Sequence, residues 1–79
     1  MKVTVLVRPK DGIRDPQGEA IGRSLAGLGY AASDVRAGKV FDLEVDAADA
    51  AEAERLAAEI ADRVLANGLI ERFDVVVHG

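Results

Sequence analysis

Val3, Val5 and Val7 alternate with Lys2, Thr4, Leu6 and Arg8. This period of two predicts a strand with the valines on its core face, and Pro9 prevents further central pairing. Ala20, Ile21, Leu25 and Leu28 then recur at three- and four-residue spacing and predict a helix from Pro16 to about Leu28. Asp15 is placed to cap it, Pro16 fits its first position, and Gly29 can end it in a left-handed conformation. Between strand and helix, Asp11-Gly12 is a turn signal and Ile13 a hydrophobic anchor.

Val35, Ala37, Phe41, Leu43 and Val45 share one phase of the next segment, with Asp42, Glu44 and Asp46 in the other. Lys39 breaks that phase, so Gly38 is either a bulge in one long strand or the turn of a hairpin; a strand interrupted at Gly38–Lys39 is the preferred reading. Ala53, Leu56, Ala57, Ile60 and Val64 form the stripe of a second helix, with Asp49 as cap, Glu52 completing a capping box, and Asn67-Gly68 as its end. Glu52–Arg55 and Glu59–Arg63 are spaced to pair on its outer face. Phe73, Val75 and Val77 alternate with Asp74 and Val76 as a last strand, with Leu69 and Ile70 expected to pack at its entrance. This order predicts an α+β two-layer sandwich: an antiparallel sheet of three to four strands with two helices on one face, as a single domain over residues 1–79.

At 79 residues the core is thin. Stability of roughly 4–12 kcal/mol is expected at ordinary per-residue values, so association with a partner can matter. No stretch approaches the roughly 20 apolar residues of a membrane span, and the start of the chain runs into a strand with no signal-peptide pattern, so a cytoplasmic protein is expected. A net charge of −4 with interspersed signs, and only Tyr30, Phe41 and Phe73 as aromatics, argue against a nucleic-acid binder.

Chemistry is scarce. The absence of cysteine excludes disulfides, thiol catalysis and the usual zinc sites. Ser24 and Ser33 have no histidine available except His78, close to the end of the sequence. Asp42, Glu44 and Asp46 are spaced like carboxylates on the solvent face of a strand. None of the glycines follows a strand and opens a helix at the spacing of a phosphate loop. What remains are contact features. Arg36 and Lys39 flank Gly38, with Arg8 and Lys10 near the end of the first strand, and suit an acidic partner surface or a phosphate. Leu6, Val40 and Val76 fall in the outward phase of three strands, where one patch would favour pairing of two copies as a dimer or tetramer.

Several segments together resemble the PurS family, the small subunits of phosphoribosylformylglycinamidine synthase, also called formylglycinamide ribonucleotide amidotransferase. They are MKVTVLV, Asp15-Pro16-Gln17-Gly18, Leu28-Gly29-Tyr30, Val35-Arg36-Ala37-Gly38-Lys39, Phe41-Asp42-Leu43-Glu44-Val45, and Leu65-Ala66-Asn67 leading into Ile70-Glu71. Gly68-Leu69 departs from the proline and valine that the family commonly has there, and a glycine suits a helix end equally well. The resemblance implies a part in purine synthesis, where formylglycinamide ribonucleotide, ATP and glutamine give formylglycinamidine ribonucleotide, ADP, phosphate and glutamate. It also implies a non-catalytic chain that bridges a glutaminase subunit and a large synthetase subunit and supports ammonia transfer. No cofactor is expected in this chain, since ATP and magnesium are used by the synthetase partner. Asp15, Pro16, Gly18, Arg36, Gly38, Lys39 and Asn67 are the residues expected at partner contacts, and Leu6, Val40 and Val76 those at a contact between copies. An amino-acid-sensing regulatory domain acting as a dimer has a similar element order and is the alternative; binding of a free amino acid would distinguish it.

Overall fold

In the computed structural model, which describes residues 1–79, the chain runs β1 (Lys2–Pro9), α1 (Pro16–Gly27), β2 (Lys39–Glu44), α2 (Ala50–Ile60) and β3 (Glu71–His78). The three strands form one antiparallel sheet in the order β2-β1-β3. β1 sits centrally because Val3, Val5 and Val7 are the residues that two flanking strands and a helix can cover completely, and all three are buried. Across it the register places Val3 between Leu43 and Val77, Val5 between Phe41 and Val75, and Val7 between Lys39 and Phe73. That alternation puts one apolar face toward α2.

α2 approaches the sheet through alanines. Ala53, Ala57 and Ala61 are fully buried against the three valines and Val45, and such small side chains let the helix backbone lie close. Its amino end is capped as its sequence predicts: Asp49 Oδ1 accepts from Glu52 N–H at 2.8 Å, while the Glu52 carboxylate accepts from Ala48 N–H at 3.3 Å. From Ala61 to Leu65 the helix widens into a π turn, with Ala66 N–H donating to Ala61 C=O at 2.8 Å. The wider turn carries Ala61 and Leu65 inward and swings Val64 out to 77% exposure, so the expected place of Val64 in the buried stripe is corrected. Glu59 takes both Arg55 and Arg63 at 3.6 Å, because Glu52 is occupied in the cap and does not pair with Arg55.

The α+β class, the antiparallel sheet and the two helices match the reading from sequence, in an open form. α2 alone packs on the strands, over β3 and β1. α1 extends beyond the sheet, which makes the molecule 50 Å long with a radius of gyration of 15.5 Å, against about 12 Å for a compact chain of this length. Val35–Ala37 is irregular and makes no strand, so neither a bulged long strand nor a hairpin forms at Gly38. Leu69 and Ile70 are also corrected: they stand 85% and 43% exposed on the turn before β3 and are not buried at the strand entrance.

The π turn generates a contrast that unfolding can read. Val5→Ala removes wholly buried volume and is expected to cost about 2 kcal/mol, whereas Val64→Ala is expected to change stability by less than about 0.5 kcal/mol. Denaturant unfolding of both variants checks this, and comparable losses would contradict the assigned helix phase.

Candidate functional site

At the end of the sheet where β1 stops and β2 begins, Asp15 makes two backbone contacts at once. One carboxylate oxygen accepts from Gly18 N–H at 3.0 Å, capping α1 as the sequence suggests. The other accepts from Ala37 N–H at 2.7 Å, a residue 22 positions on. Asp15 is 8% exposed, and a buried carboxylate is tolerable because backbone donors occupy both oxygens. The Gly18 hydrogen bond, then that of Ala37, hold its pKa below the ordinary carboxylate value; burial opposes this and the Arg36 charge assists it.

Neighbouring residues are fixed by the same arrangement. A Cβ at Gly18 would collide with the Asp15 carboxylate and with Val35 C=O, and one at Gly38 would collide with Val7 C=O. Both positions therefore need glycine for close approach. Pro16 opens α1. The Arg36 guanidinium donates to Ile13 C=O at 3.1 Å and to Lys10 C=O at 3.0 Å, closing the loop from β1 to α1. Lys10 in turn donates through its backbone to Ile70 C=O at 2.9 Å and through Nζ to Gly68 C=O at 2.6 Å. Asn67 is built into that last turn: its side-chain oxygen accepts from Leu69 N–H at 3.1 Å, and its own N–H donates to Glu71 Oε1 at 2.8 Å. Asp15, Pro16, Gly18, Arg36, Gly38, Lys39 and Asn67 thus lie around one end of the sheet.

Several of these residues have structural work that the sequence did not reveal. Arg36 was a candidate contact cation, yet it also clamps two carbonyls. Because those acceptors are neutral, its charge is not neutralised by the clamp. Lys39 lies 3.7 Å from Glu71, and Arg8 lies 3.1 Å from Asp74. Arg8 also faces Arg72 directly across the β1–β3 pair, a like-charge opposition that costs stability and makes this end of the sheet receptive to negative charge. Leu6, Val7, Arg8, Arg36, Gly38, Lys39 and Val40 line a shallow depression here.

The sheet face away from α2 is open. Leu6 lies directly opposite Val40, and Val76, opposite Thr4, sits diagonally from Leu6. The three outward apolar residues therefore form one oblique strip, with Val40 at 62% and Val76 at 43% exposure. Beside it is a group that single-strand patterning missed. Thr4 Oγ1 donates to Asp42 Oδ1 at 2.6 Å and stands 2.7 Å from His78 Nε2. With the hydroxyl proton given to Asp42, the imidazole nitrogen can bond this hydroxyl only by donating to its oxygen. A nucleophile would need the reverse, donation from hydroxyl to histidine. Only the strand register, unreadable from any one strand, brings these three residues together. No set of three His, Cys, Asp or Glu side chains is positioned to hold a metal ion, and no helix is long and apolar enough to cross a membrane.

Comparison with known proteins gives a consistent result. Residues 2–79 match the family described as PurS, phosphoribosylformylglycinamidine (FGAM) synthase. The chain is 36% identical over 77 residues to the phosphoribosylformylglycinamidine synthase subunit PurS of Archaeoglobus fulgidus, covering 96% of each chain. It is 45% identical over 74 residues to that of Mycobacterium leprae, covering 92% of this chain and 87% of the relative. A chain in the solved structure of PurLQS from Thermotoga maritima superposes with a TM-score of 0.86 at 30% identity, over 95% of this chain and 93% of that one.

The lowered pKa of Asp15 has a defined consequence. Its contribution to stability is complete above the ordinary carboxylate value of about 3.9 and is lost as pH falls below that through the lowered folded value. Asp15→Asn keeps one carbonyl acceptor and loses the other, so it is expected to be less stable than wild type near neutral pH, with the gap closing as pH falls below about 4. Thermal unfolding at a series of pH values checks this; a gap independent of pH would contradict the assignment.

Proposed function

The chain belongs to the PurS family of phosphoribosylformylglycinamidine synthase, and from that premise we propose a division of labour within the enzyme. It is a small subunit of the synthase, an enzyme of purine biosynthesis, and has no catalytic site of its own. On this reading it acts in the cytoplasm by bridging the glutaminase and synthetase subunits and supporting the passage of ammonia between them. ATP and magnesium are handled by the synthetase partner; this chain has no glycine-rich loop opening a helix to receive a phosphate.

The observation that carries the bridging role is the convergence of Asp15–Gly18, Val35–Lys39 and Asn67 on one end of the sheet. Asp15, Gly18, Arg36 and Gly38 there spend their chemistry on holding backbone segments in place, which leaves Arg72 without an ion-pair partner and Arg8 and Lys39, each beside a single carboxylate, at the exposed edge of this support. Such a support suits an acidic surface on a larger subunit. The open strip of Leu6, Val40 and Val76 suits a second copy of the chain, since a two-fold contact covers the same apolar strip on both.

The test is reconstitution. The isolated chain is expected to show no glutaminase or ATP-dependent ligase turnover, and adding it to the two larger subunits is expected to be required for glutamine-dependent synthesis. Lys39→Glu with Arg72→Glu, which leaves the Arg36 clamp in place, is expected to weaken assembly about tenfold or more and to flatten its salt dependence. Full activity of the two larger subunits without this chain would overturn the role; unchanged assembly of the double variant at every salt concentration would overturn the docking surface.

A further inference from the structure

The turn that leads into β3 brings together the parts of a reaction that needs only water. Asn67 is the sole asparagine of the chain, and glycine follows it. Both residues are exposed. When the backbone nitrogen after an asparagine reaches the side-chain carbonyl carbon, a cyclic imide can close. Glycine permits this best, because no side chain crowds the attacking nitrogen. Around Gly68 the way is clear: a Cβ there would meet nothing within 4 Å, and the Gly68 N–H has no acceptor.

The hydrogen bonds of the turn favour the same closure. Leu69 N–H donates to Asn67 Oδ1 at 3.1 Å. That bond folds the side chain over the Asn67–Gly68 peptide and places a donor where negative charge gathers when the side-chain carbonyl is attacked. The Asn67 C=O accepts twice, from Ile70 N–H at 3.0 Å and from Glu71 N–H at 2.7 Å. Two donors on that oxygen draw electron density from the peptide it shares with Gly68 and make the Gly68 N–H more acidic. Asn67 N–H is held by Glu71 Oε1 at 2.8 Å, and Gly68 C=O by Lys10 Nζ at 2.6 Å. The Gly68 nitrogen and the Asn67 side-chain nitrogen, the attacking and leaving atoms, are the ones without partners.

We propose that Asn67-Gly68 is a site of spontaneous deamidation that rewrites the turn before β3. The Gly68 nitrogen gives its proton to water and bonds to Asn67 Cγ; the Cγ–Nδ2 bond breaks, and the side-chain nitrogen leaves as ammonia. Water then opens the cyclic imide at either carbonyl. One opening gives an aspartyl residue at position 67, the other an isoaspartyl residue whose main chain runs through Cβ and Cγ. Water is consumed and ammonia released, with no oxidant, reductant or cofactor. The isoaspartyl form lengthens the chain between α2 and β3, where Lys10 grips Gly68 C=O through Nζ and Ile70 C=O through its N–H. Either form adds a carboxylate to the end of the sheet that carries Arg8, Lys39 and Arg72. Its effect on assembly rests on the docking surface proposed above; the reaction itself does not, and is followed by mass alone.

Peptide mass spectrometry on the full chain, incubated at neutral pH, reads the reaction. Progressive loss of the asparagine-containing peptide is expected, with growth of a pair of products heavier by the difference between amide and acid and separable by chromatography. The same chain unfolded in urea supplies the rate without the turn. Conversion in the folded chain is expected to keep pace with it. A folded chain that keeps its asparagine while the unfolded one loses it would overturn the proposal, since the turn would then guard the site. Gly68→Pro removes the attacking N–H and is expected to abolish both products. Gly68→Ala, whose methyl has open space, is expected to slow them severalfold while keeping the fold. Undiminished conversion in Gly68→Pro, or an aspartyl product alone in the wild type, would mean direct hydrolysis without the imide and would likewise overturn it.

Discussion

The Asp15 carboxylate is the constraint on which the shape of the molecule depends. Each of its oxygens accepts one backbone N–H, from Gly18 inside α1 and from Ala37 just before β2. One ionised side chain thereby fixes where a helix begins and where the returning chain crosses it. Glycine at 18 and 38 follows from the closeness of that crossing, and Arg36 secures the loop on its far side. Charge-assisted hydrogen bonds are worth more out of water than in it, and a carboxylate left without them there would be costly. The same feature that makes the junction rigid makes it intolerant of a neutral substitute.

A rigid junction suits the adaptor role proposed for so small a chain. Its hydrophobic core consists of four valines and three alanines, enough to hold α2 on the sheet and too little to draw α1 back over β2. Surfaces that a compact domain would bury are instead held outward in a fixed relation: the α1 stripe, the strip on the open sheet face, and the cations at the end of β1. Absence of a working nucleophile fits that use, since Thr4, Asp42 and His78 are bonded in an order that gives the hydroxyl proton to a carboxylate.

Much of this was legible in the sequence, and the gaps have physical causes. Strand alternation in Val3–Val7 and Phe73–Val77 fixed which faces are buried, because a period of two leaves no ambiguity of phase. Asp15, Pro16 and Gly29 announced both ends of α1. Amphipathic spacing in α1, however, states what a helix would bury and not against which chain, so its departure from the sheet could not be read. Val64 was misplaced because a π turn shifts the helical phase by one residue, and nothing in Ala61–Leu65 advertises it. Arg36 was recognised as a cation, but its clamp on Lys10 and Ile13 depends on a tertiary crossing set by Asp15.

Amide hydrogen exchange on Asp15→Asn tests the central claim most directly, residue by residue. If the carboxylate holds the crossing, the Ala37 and Gly18 amides lose protection by an order of magnitude or more in the variant, while the amides of β1 remain as protected as in wild type. Retained protection at Ala37, or uniform loss across α1 and the sheet alike, would contradict the account and show that the junction is held by something other than Asp15.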